Sequence, residues 1–478
     1  MAEFVVGYPG AILLAINVEE DFNKRDRRGA ILERDWTKGS IIGNILSLSW
    51  PMVVSGILNT LGPTIDMIWV GRLGTVAMAG VGVSGMIVML VNSMMMGFNT
   101  GVRALVARFI GAGDTEMANL TGQQTLIIKS IISLFLALVG IFFAEPILIL
   151  FGLEPEVITE GTVYLRILFV GSVTIAFNSM AEATMQASGD AVTPMRIAVA
   201  YRLLHIVLSP VLIFGWWVFP HLGVSGAALA NVFAQGVGGT LGLWFLFSGR
   251  TRLRLTMKNF RFDRSMAWRI IKVGIPASIT GFERTFSNLV VMWFVVPFGT
   301  IAVAAHSLLE RTDQFLRMPS AGMGMAAGIL AGQNLGAGQP ERAERTGWQT
   351  AALVTVLMVA VSVPVWIGAE RIVGIFNTEP ELVKVASIFL RIEIVSYLVF
   401  GLVNTLMNCL NGVGDTMIPL LTTMLTMWGI QVPLAYFLSR MTSLGVYGVR
   451  VAIVSAIAMR AVIYSAYFRS GRWKRKNV

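Results

Sequence analysis

Hydrophobic residues come in long blocks along this chain. Between residues 41 and 468, apolar runs of twenty or more residues recur, divided by short connections carrying Gly, Pro, Glu and Arg. Each run is long enough, as a helix, to cross a hydrocarbon layer of roughly 30 Å. The pattern predicts twelve spans, near residues 44–71, 75–102, 120–143, 163–187, 192–218, 223–247, 268–296, 301–330, 347–368, 386–412, 417–438 and 444–468. Composition agrees: 55% of the 478 residues are hydrophobic and 13% charged, against roughly 25% charged in a soluble domain. The predicted class is an all-α membrane protein.

The second half repeats the first. At an offset of 225 residues, Pro51 meets Pro276, Gly74-Thr75 meets Gly299-Thr300, and Gly111-Ala112-Gly113 meets Gly336-Ala337-Gly338. The triplets Glu154-Pro155-Glu156 and Glu379-Pro380-Glu381 superpose, Arg166 falls on Arg391, and Gly189-Asp190 falls on Gly414-Asp415. After a three-residue shift, Leu222-Gly223-Val224 meets Leu444-Gly445-Val446. A register held through five spans marks a duplication. Six spans per copy is an even number, so both copies enter from the same side. The copies are then parallel six-helix lobes related by an axis along the membrane normal. The predicted organisation is a cytoplasmic N-terminal segment (1–40), a first lobe (41–249), a cytoplasmic linker (250–267), a second lobe (268–468) and a basic tail (469–478).

Charge orients the bundle. The net charge of +10 concentrates in Lys24, Arg25, Arg27, Arg28, Arg34 and Lys38, in Arg250, Arg252, Arg254, Lys258, Arg261 and Arg264, and in the tail. With twelve spans these clusters share one side, opposite the Glu-Pro-Glu loops. The positive-inside rule places both termini in the cytoplasm, so the charge is a topology signal and no nucleic-acid partner is expected. Cys409 is alone, which excludes an intramolecular disulfide. Three histidines (His205, His221, His306) exclude a pair of bis-histidine haems, and no phosphate-binding loop is present. The reading is therefore not an enzyme, with no cofactor and no built-in ATPase. The apolar run 4–17 is short and lacks a preceding basic residue, so it reads as a cytoplasmic or interfacial element and not a cleaved signal peptide.

Specific motifs now point to a family. The segments "VAAHSLLERTDQF" and "GQNLGAGQPERAERTG" (303–315 and 332–347) resemble the eighth span and following loop of multidrug and toxic compound extrusion (MATE) exporters. So do "LNTLGPTIDMIWVGRLG" (58–74) and "HIVLSPVLIF" followed by "LGVSGAALAN". The likeness, to DinF/NorM-like members of the MOP superfamily, covers nearly the whole chain from Trp36 to the end of the last span. It implies a V-shaped pair of lobes, monomeric, in the plasma membrane of a prokaryotic cell. It implies export of amphipathic or cationic small molecules in exchange for H⁺ or Na⁺. Two rivals stand beside it. One is a lipid-linked precursor flippase of the same superfamily, which extra spans and a strongly cationic cavity would mark. The other is a non-transporting receptor or channel.

An ionisable group inside a span is a functional candidate whatever the family. Asp66 lies near the end of the first span, with Pro63 three residues earlier and Asn59 on the same face. Pro63 should disturb the backbone there and free carbonyls. Tyr164, Asn178 and Glu182 lie on the fourth span, His205 and Ser209 on the fifth and Asn231 on the sixth. Asn178 and Glu182 are four apart, as are His205 and Ser209, so each pair shares a face. By resemblance, Asp66, Tyr164, Asn178, His205, Ser209 and Asn231 fall on or beside the N-lobe cation pocket. Ser209 stands where archaeal DinF-like members carry a second aspartate, and His205 where they carry asparagine. Glu182 replaces a neutral residue, so a two-carboxylate pocket would have moved one acid from the fifth span to the fourth. Desolvation favours the neutral form of a carboxylate, so gated water entry would load and unload a proton. Histidine titrates near neutral pH unaided, which gives His205 a share in that role. Sodium would need a cage of oxygens around Asp66 and Asn231, with Glu182 and Ser209. Imidazole is a poor Na⁺ ligand, so H⁺ is favoured.

In the second lobe, Glu283 and Arg284 lie on the seventh span, and Arg391 and Glu393 on the tenth. His306, Glu310, Asp313 and Arg317 form one 4-3-4 stripe on the eighth span, with Arg311 beside it. By resemblance, Glu283 or Arg284, His306, Glu310 and Asp313 are coupling or substrate candidates. The alternative is a static network of acids and arginines that neutralise one another. Met86, Met89, Met94, Met95 and Met96 crowd the second span, where flexible thioethers suit either packing or a varied ligand.

Overall fold

The computed structural model describes residues 34–476 except 259 and 378. The basic residues 24–28 and the apolar run 4–17 lie outside the described residues. The described residues form helices joined by short connections, with no strand among them. The first half holds α1 (Ile41–Val70), α2 (Thr75–Gly111), α3 (Thr115–Ile149), α4 (Pro155–Val170), α5 (Ser172–Ser188), α6 (Val192–Phe214) and α7 (Gly223–Phe247). The second holds α8 (Arg264–Val295), α9 (Thr300–Gly336), α10 (Pro340–Ile367), the short α11 (Ala369–Gly374), α12 (Pro380–Gly412), α13 (Met417–Thr426), α14 (Val432–Arg440) and α15 (Val446–Arg469). Among the described residues nine helical segments, or ten with the bent α4–α5 pair, are long and apolar enough to cross a membrane. The 32-residue α8 and 37-residue α9 are as long but carry the second lobe's charges, and they complete twelve.

Local chemistry sets the helix starts. Ser40, Asp114 and Asp263 accept the first free amides of α1, α3 and α8, the ordinary N-cap role of short oxygen side chains. Pro155 and Pro380 open α4 and α12, where a missing N–H costs nothing. The duplication shows in three dimensions: α2 and α9 each run 37 residues and sit 225 apart, and α1 and α8 both end in a 3₁₀ turn, Gly71–Leu73 and Val296–Phe298. The next residues, Gly74 and Gly299, adopt φ of 121° and 90°, open only to glycine at low cost.

Two spans are not straight. The fourth bends by 47° at Gly171, between α4 and α5. Gly171 lets Val232 of α7 lie within 2.4 Å of where a Cβ would be. The eleventh is interrupted by a π-turn over Met427–Gln431. Pro433 follows it, and its missing N–H leaves the Gly429 carbonyl without its usual donor.

The lobes meet along α2 and α8. A Cβ on Gly97 would lie 2.0 Å from the Ser278 amide nitrogen. Ser278 Oγ donates to the Met94 carbonyl at 2.7 Å, and the Ser93 and Thr285 hydroxyls are 2.9 Å apart. Further along, Gly111 packs against the Gln333 carbonyl and Gly336 against the Arg108 carbonyl, each at 2.0 Å from a would-be Cβ. Since 108 and 333, like 111 and 336, are repeat-equivalent, the crossing is reciprocal. Gln333 Nε2 donates to Ala187 O at 2.8 Å, while Arg108 Nη1 donates to Val413 O and Lys476 O at 3.3 and 2.7 Å. All these contacts lie at Ser93 or on its Gly111 side, which clamps the lobes at the end bearing the basic linker and tail. Gly97→Val should force α2 from α8 and cost about 1–3 kcal/mol, seen as a lower unfolding temperature in detergent. Gly85→Ala, which meets nothing within 4 Å, should be near neutral.

Candidate functional site

Asp66 sits on α1 at 1% exposure. Its Oδ1 accepts from Ser209 Oγ at 3.2 Å and lies 3.0 Å from His205 Nε2. That second approach is off the N–H direction, so it is a close contact and not an aligned hydrogen bond. Oδ2 has no hydrogen-bond partner. On the far side of the ring, His205 Nδ1 is 3.2 Å from Arg202 Nη1. Arg202 fits because Gly62, one turn before Asp66, has no side chain: a Cβ there would lie 2.0 Å from Nη1. The Tyr201 hydroxyl donates to Asn59 Oδ1. Thus Asn59, Gly62 and Asp66, one face of α1, meet Tyr201, Arg202, His205 and Ser209, one face of α6. Tyr164, 5% exposed on α4, lies within electrostatic range of Asp66. The expected disturbance at Pro63 is limited to the one lost hydrogen bond, since α1 runs unbroken through it.

Glu182 stands apart from Asp66. Its Oε1 accepts from Gln186 Nε2 at 2.9 Å, and Gln186 Oε1 accepts from Arg103 Nη2 at 3.1 Å, tying α5 to α2. Lys129 of α3 joins this group at 1% exposure, within electrostatic range of Arg103. Asn178 Nδ2 donates instead to Gln235 Oε1 at 2.6 Å, tying α5 to α7. A small cavity lined by Asn178, Glu182, Met185, Pro194 and Tyr201 lies between α5 and α6. A single pocket with two carboxylates is therefore not assembled. The i, i+4 spacing that pairs Asn178 with Glu182 also pairs Glu182 with Gln186, and Arg103 draws the acid toward α2. Asn231 is half-buried on α7 without a hydrogen bond to Asp66. Among the described residues no group of three His, Cys, Asp or Glu is placed to hold a metal ion.

The second lobe assembles the predicted stripe. Arg317 Nη2 donates to Asp313 Oδ2 at 3.1 Å and to Glu393 Oε1 at 2.6 Å. Ser396 Oγ donates to the same Glu393 oxygen at 2.8 Å, and the Tyr397 hydroxyl donates to Asp313 Oδ1. Arg450, from α15, bonds His306 Nδ1 and lies 3.6 Å from Glu310 and 3.7 Å from Glu393. Its side chain is 1% exposed, whereas that of Glu310 is 40% exposed. Glu283 and Arg284 do not join this network. They sit on α8 within electrostatic range of Arg460, and both Glu283 oxygens lack hydrogen bonds. Arg391 pairs with Glu370 at 3.2 Å, also outside it. Arg202, Arg103, Lys129 and Arg450 were not among the expected site residues, although each is a charge within an apolar span. Neither lobe's cluster has a counterpart in the other: Val291 stands opposite Asp66 in the repeat, and Val88 opposite Asp313.

Known proteins share this architecture. The MatE family model matches residues 51–211 and again 276–437, starting points 225 apart. "Probable multidrug resistance protein YoeA" of Bacillus subtilis (strain 168) is 29% identical over 437 residues, 90% of this chain and 93% of that protein. "Probable multidrug resistance protein NorM" of Thermotoga maritima is 25% identical over 437 residues, covering 91% and 93%. Among solved structures, a MATE crystal structure in the bent conformation superposes with a TM-score of 0.86 at 24% identity. It covers 91% of this chain and 96% of that one.

Proposed function

The chain belongs to the MatE family, and from that premise we propose that it is a proton-coupled exporter of amphipathic or cationic compounds working by alternating access. Its relatives are named as multidrug resistance proteins, and the enclosed charges supply the rest. The observation that carries the reading is Asp66: a carboxylate sealed between α1 and α6, with one oxygen engaged and Oδ2 unbonded. An unbonded carboxylate oxygen can take a proton without any existing hydrogen bond being broken. Neutralising Asp66 removes the charge that holds α1 to the Arg202–His205 edge of α6. In this reading that loss moves α1 and discharges the solute on the outer side.

Sodium fits the geometry less well. The one side-chain oxygen bonded to Asp66 is Ser209 Oγ, Asn231 makes no hydrogen bond to it, and an imidazole occupies one side of Oδ1. In the second lobe, Glu310 reaches from the arginine-neutralised network with a half-exposed carboxylate, which suits a cationic group on the solute. The chain acts as a monomer, both termini in the cytoplasm.

Liposomes containing the purified protein test this directly. With the cytoplasmic face turned outward, an acidic lumen, from which protons run outward, should drive accumulation of a cationic dye, and an equally directed Na⁺ gradient at constant pH should not. Accumulation driven by Na⁺ alone would overturn the reading.

A further inference from the structure

Guanidinium groups have five donors and no acceptor. With Arg202 Nη1 at 3.2 Å from His205 Nδ1, the ring nitrogen must be the acceptor. An imidazole that accepts through Nδ1 is neutral and carries its proton on Nε2. That nitrogen is 3.0 Å from Asp66 Oδ1, and a small ring rotation would align it as a donor. The charged and titratable groups around the ring are Asp66 from α1, Arg202 from its own helix and Tyr164 from α4. Glu182 of α5 comes near only through Tyr201.

The same device recurs in the other lobe with unrelated residues. Arg450 of α15 holds His306 Nδ1 of α9. His205 and His306 are 0% and 2% exposed, and Arg202 and Arg450 are 3% and 1%. The pairs differ in spacing and origin: Arg202 is three residues before its histidine, whereas Arg450 comes from another helix. An imidazolium in either place would set an N–H against a guanidinium N–H, two donors and two positive charges together.

We propose that Arg202 is a positioning residue that locks His205 as the neutral Nε2–H tautomer, making it a hydrogen-bond donor to Asp66 and leaving the carboxylate alone to carry the exchanged proton. Arg450 locks His306 in the same way. Only the clause about the exchanged proton rests on the proton-coupled reading; the tautomer stands on geometry. The lock has a consequence for the cycle. Arg202 and Asp66 balance each other through a neutral ring, and protonating Asp66 leaves a buried guanidinium uncompensated, which favours parting α1 from α6.

Nitrogen NMR of ¹⁵N-histidine-labelled full-length protein in lipid nanodiscs reads the tautomers. Three histidines give three spin systems, assigned by their loss in His205→Gln, His221→Gln and His306→Gln. Between about pH 5.5 and 8, His205 and His306 should keep an unprotonated Nδ1 and a protonated Nε2. In Arg202→Met, His205 should gain an Nδ1 proton at the acid end, and Arg202→Lys should restore the wild-type signal. His306 should respond to Arg450→Met and not to Arg202→Met. A protonated Nδ1 in the wild type, or an Arg202→Met spectrum identical to it, would overturn the proposal. A locked tautomer in a protein that ignores proton gradients would instead leave the lock standing and sink the proton-coupled reading.

Discussion

Asp66→Asn is expected to abolish proton-driven accumulation while leaving a folded protein. The asparagine keeps an oxygen for Ser209 Oγ, the bond that Oδ1 makes at 3.2 Å, and removes only the titrating charge. A pH difference of one unit is worth about 1.4 kcal/mol per exchanged proton, or about tenfold in accumulation, and that driven factor should vanish. Exchange of solute down its own gradient should survive, because the second-lobe network is untouched. The measurement is dye accumulation in proteoliposomes with and without an imposed pH gradient. A variant that still answers the gradient with wild-type steepness would remove Asp66 from the mechanism.

Arg317→Met carries the largest expected loss of stability. One guanidinium nitrogen bonds Asp313 at 3.1 Å and Glu393 at 2.6 Å, and Glu393 is 1% exposed. Removing the cation leaves two carboxylates facing each other inside the lobe, and breaking a buried pair in this way costs about 3–5 kcal/mol. Thermal unfolding of the detergent-solubilised protein should show a large drop. Adding Glu393→Gln to Arg317→Met should recover much of it, because the second acid then needs no counter-charge. If the single variant unfolds at the wild-type temperature, the network is not structural, and its arginine is free to serve the solute.

The sequence was informative where a residue's own helix settles its neighbours. The 4-3-4 spacing of His306, Glu310, Asp313 and Arg317 placed them on one stripe, and the structure gathers all four. His205 and Ser209, one turn apart, both reach Asp66. Glu182 failed by the same logic. Spacing gave its face correctly but not the helix opposite, and the arginine that claims it comes from α2, seventy-nine positions earlier in the chain. The bend at Gly171 was likewise hidden: Val232 of α7, which fills the space beside that glycine, is sixty-one positions away in the chain. Arg450 was legible as a charge inside a span, yet nothing local pointed it at His306, 144 residues away.

Hydrophobic run length and the 225-residue register by themselves determined a twelve-span bundle of two parallel lobes, because lipid admits few other arrangements of such a chain. Which charges meet was decided by tertiary packing alone. The repeat copies backbone positions but not ionisable side chains, so each lobe pairs its acids and bases through helices that only folding brings together. Gly62 shows how small the deciding feature is: a missing methyl group makes room for the guanidinium that meets His205 beside Asp66.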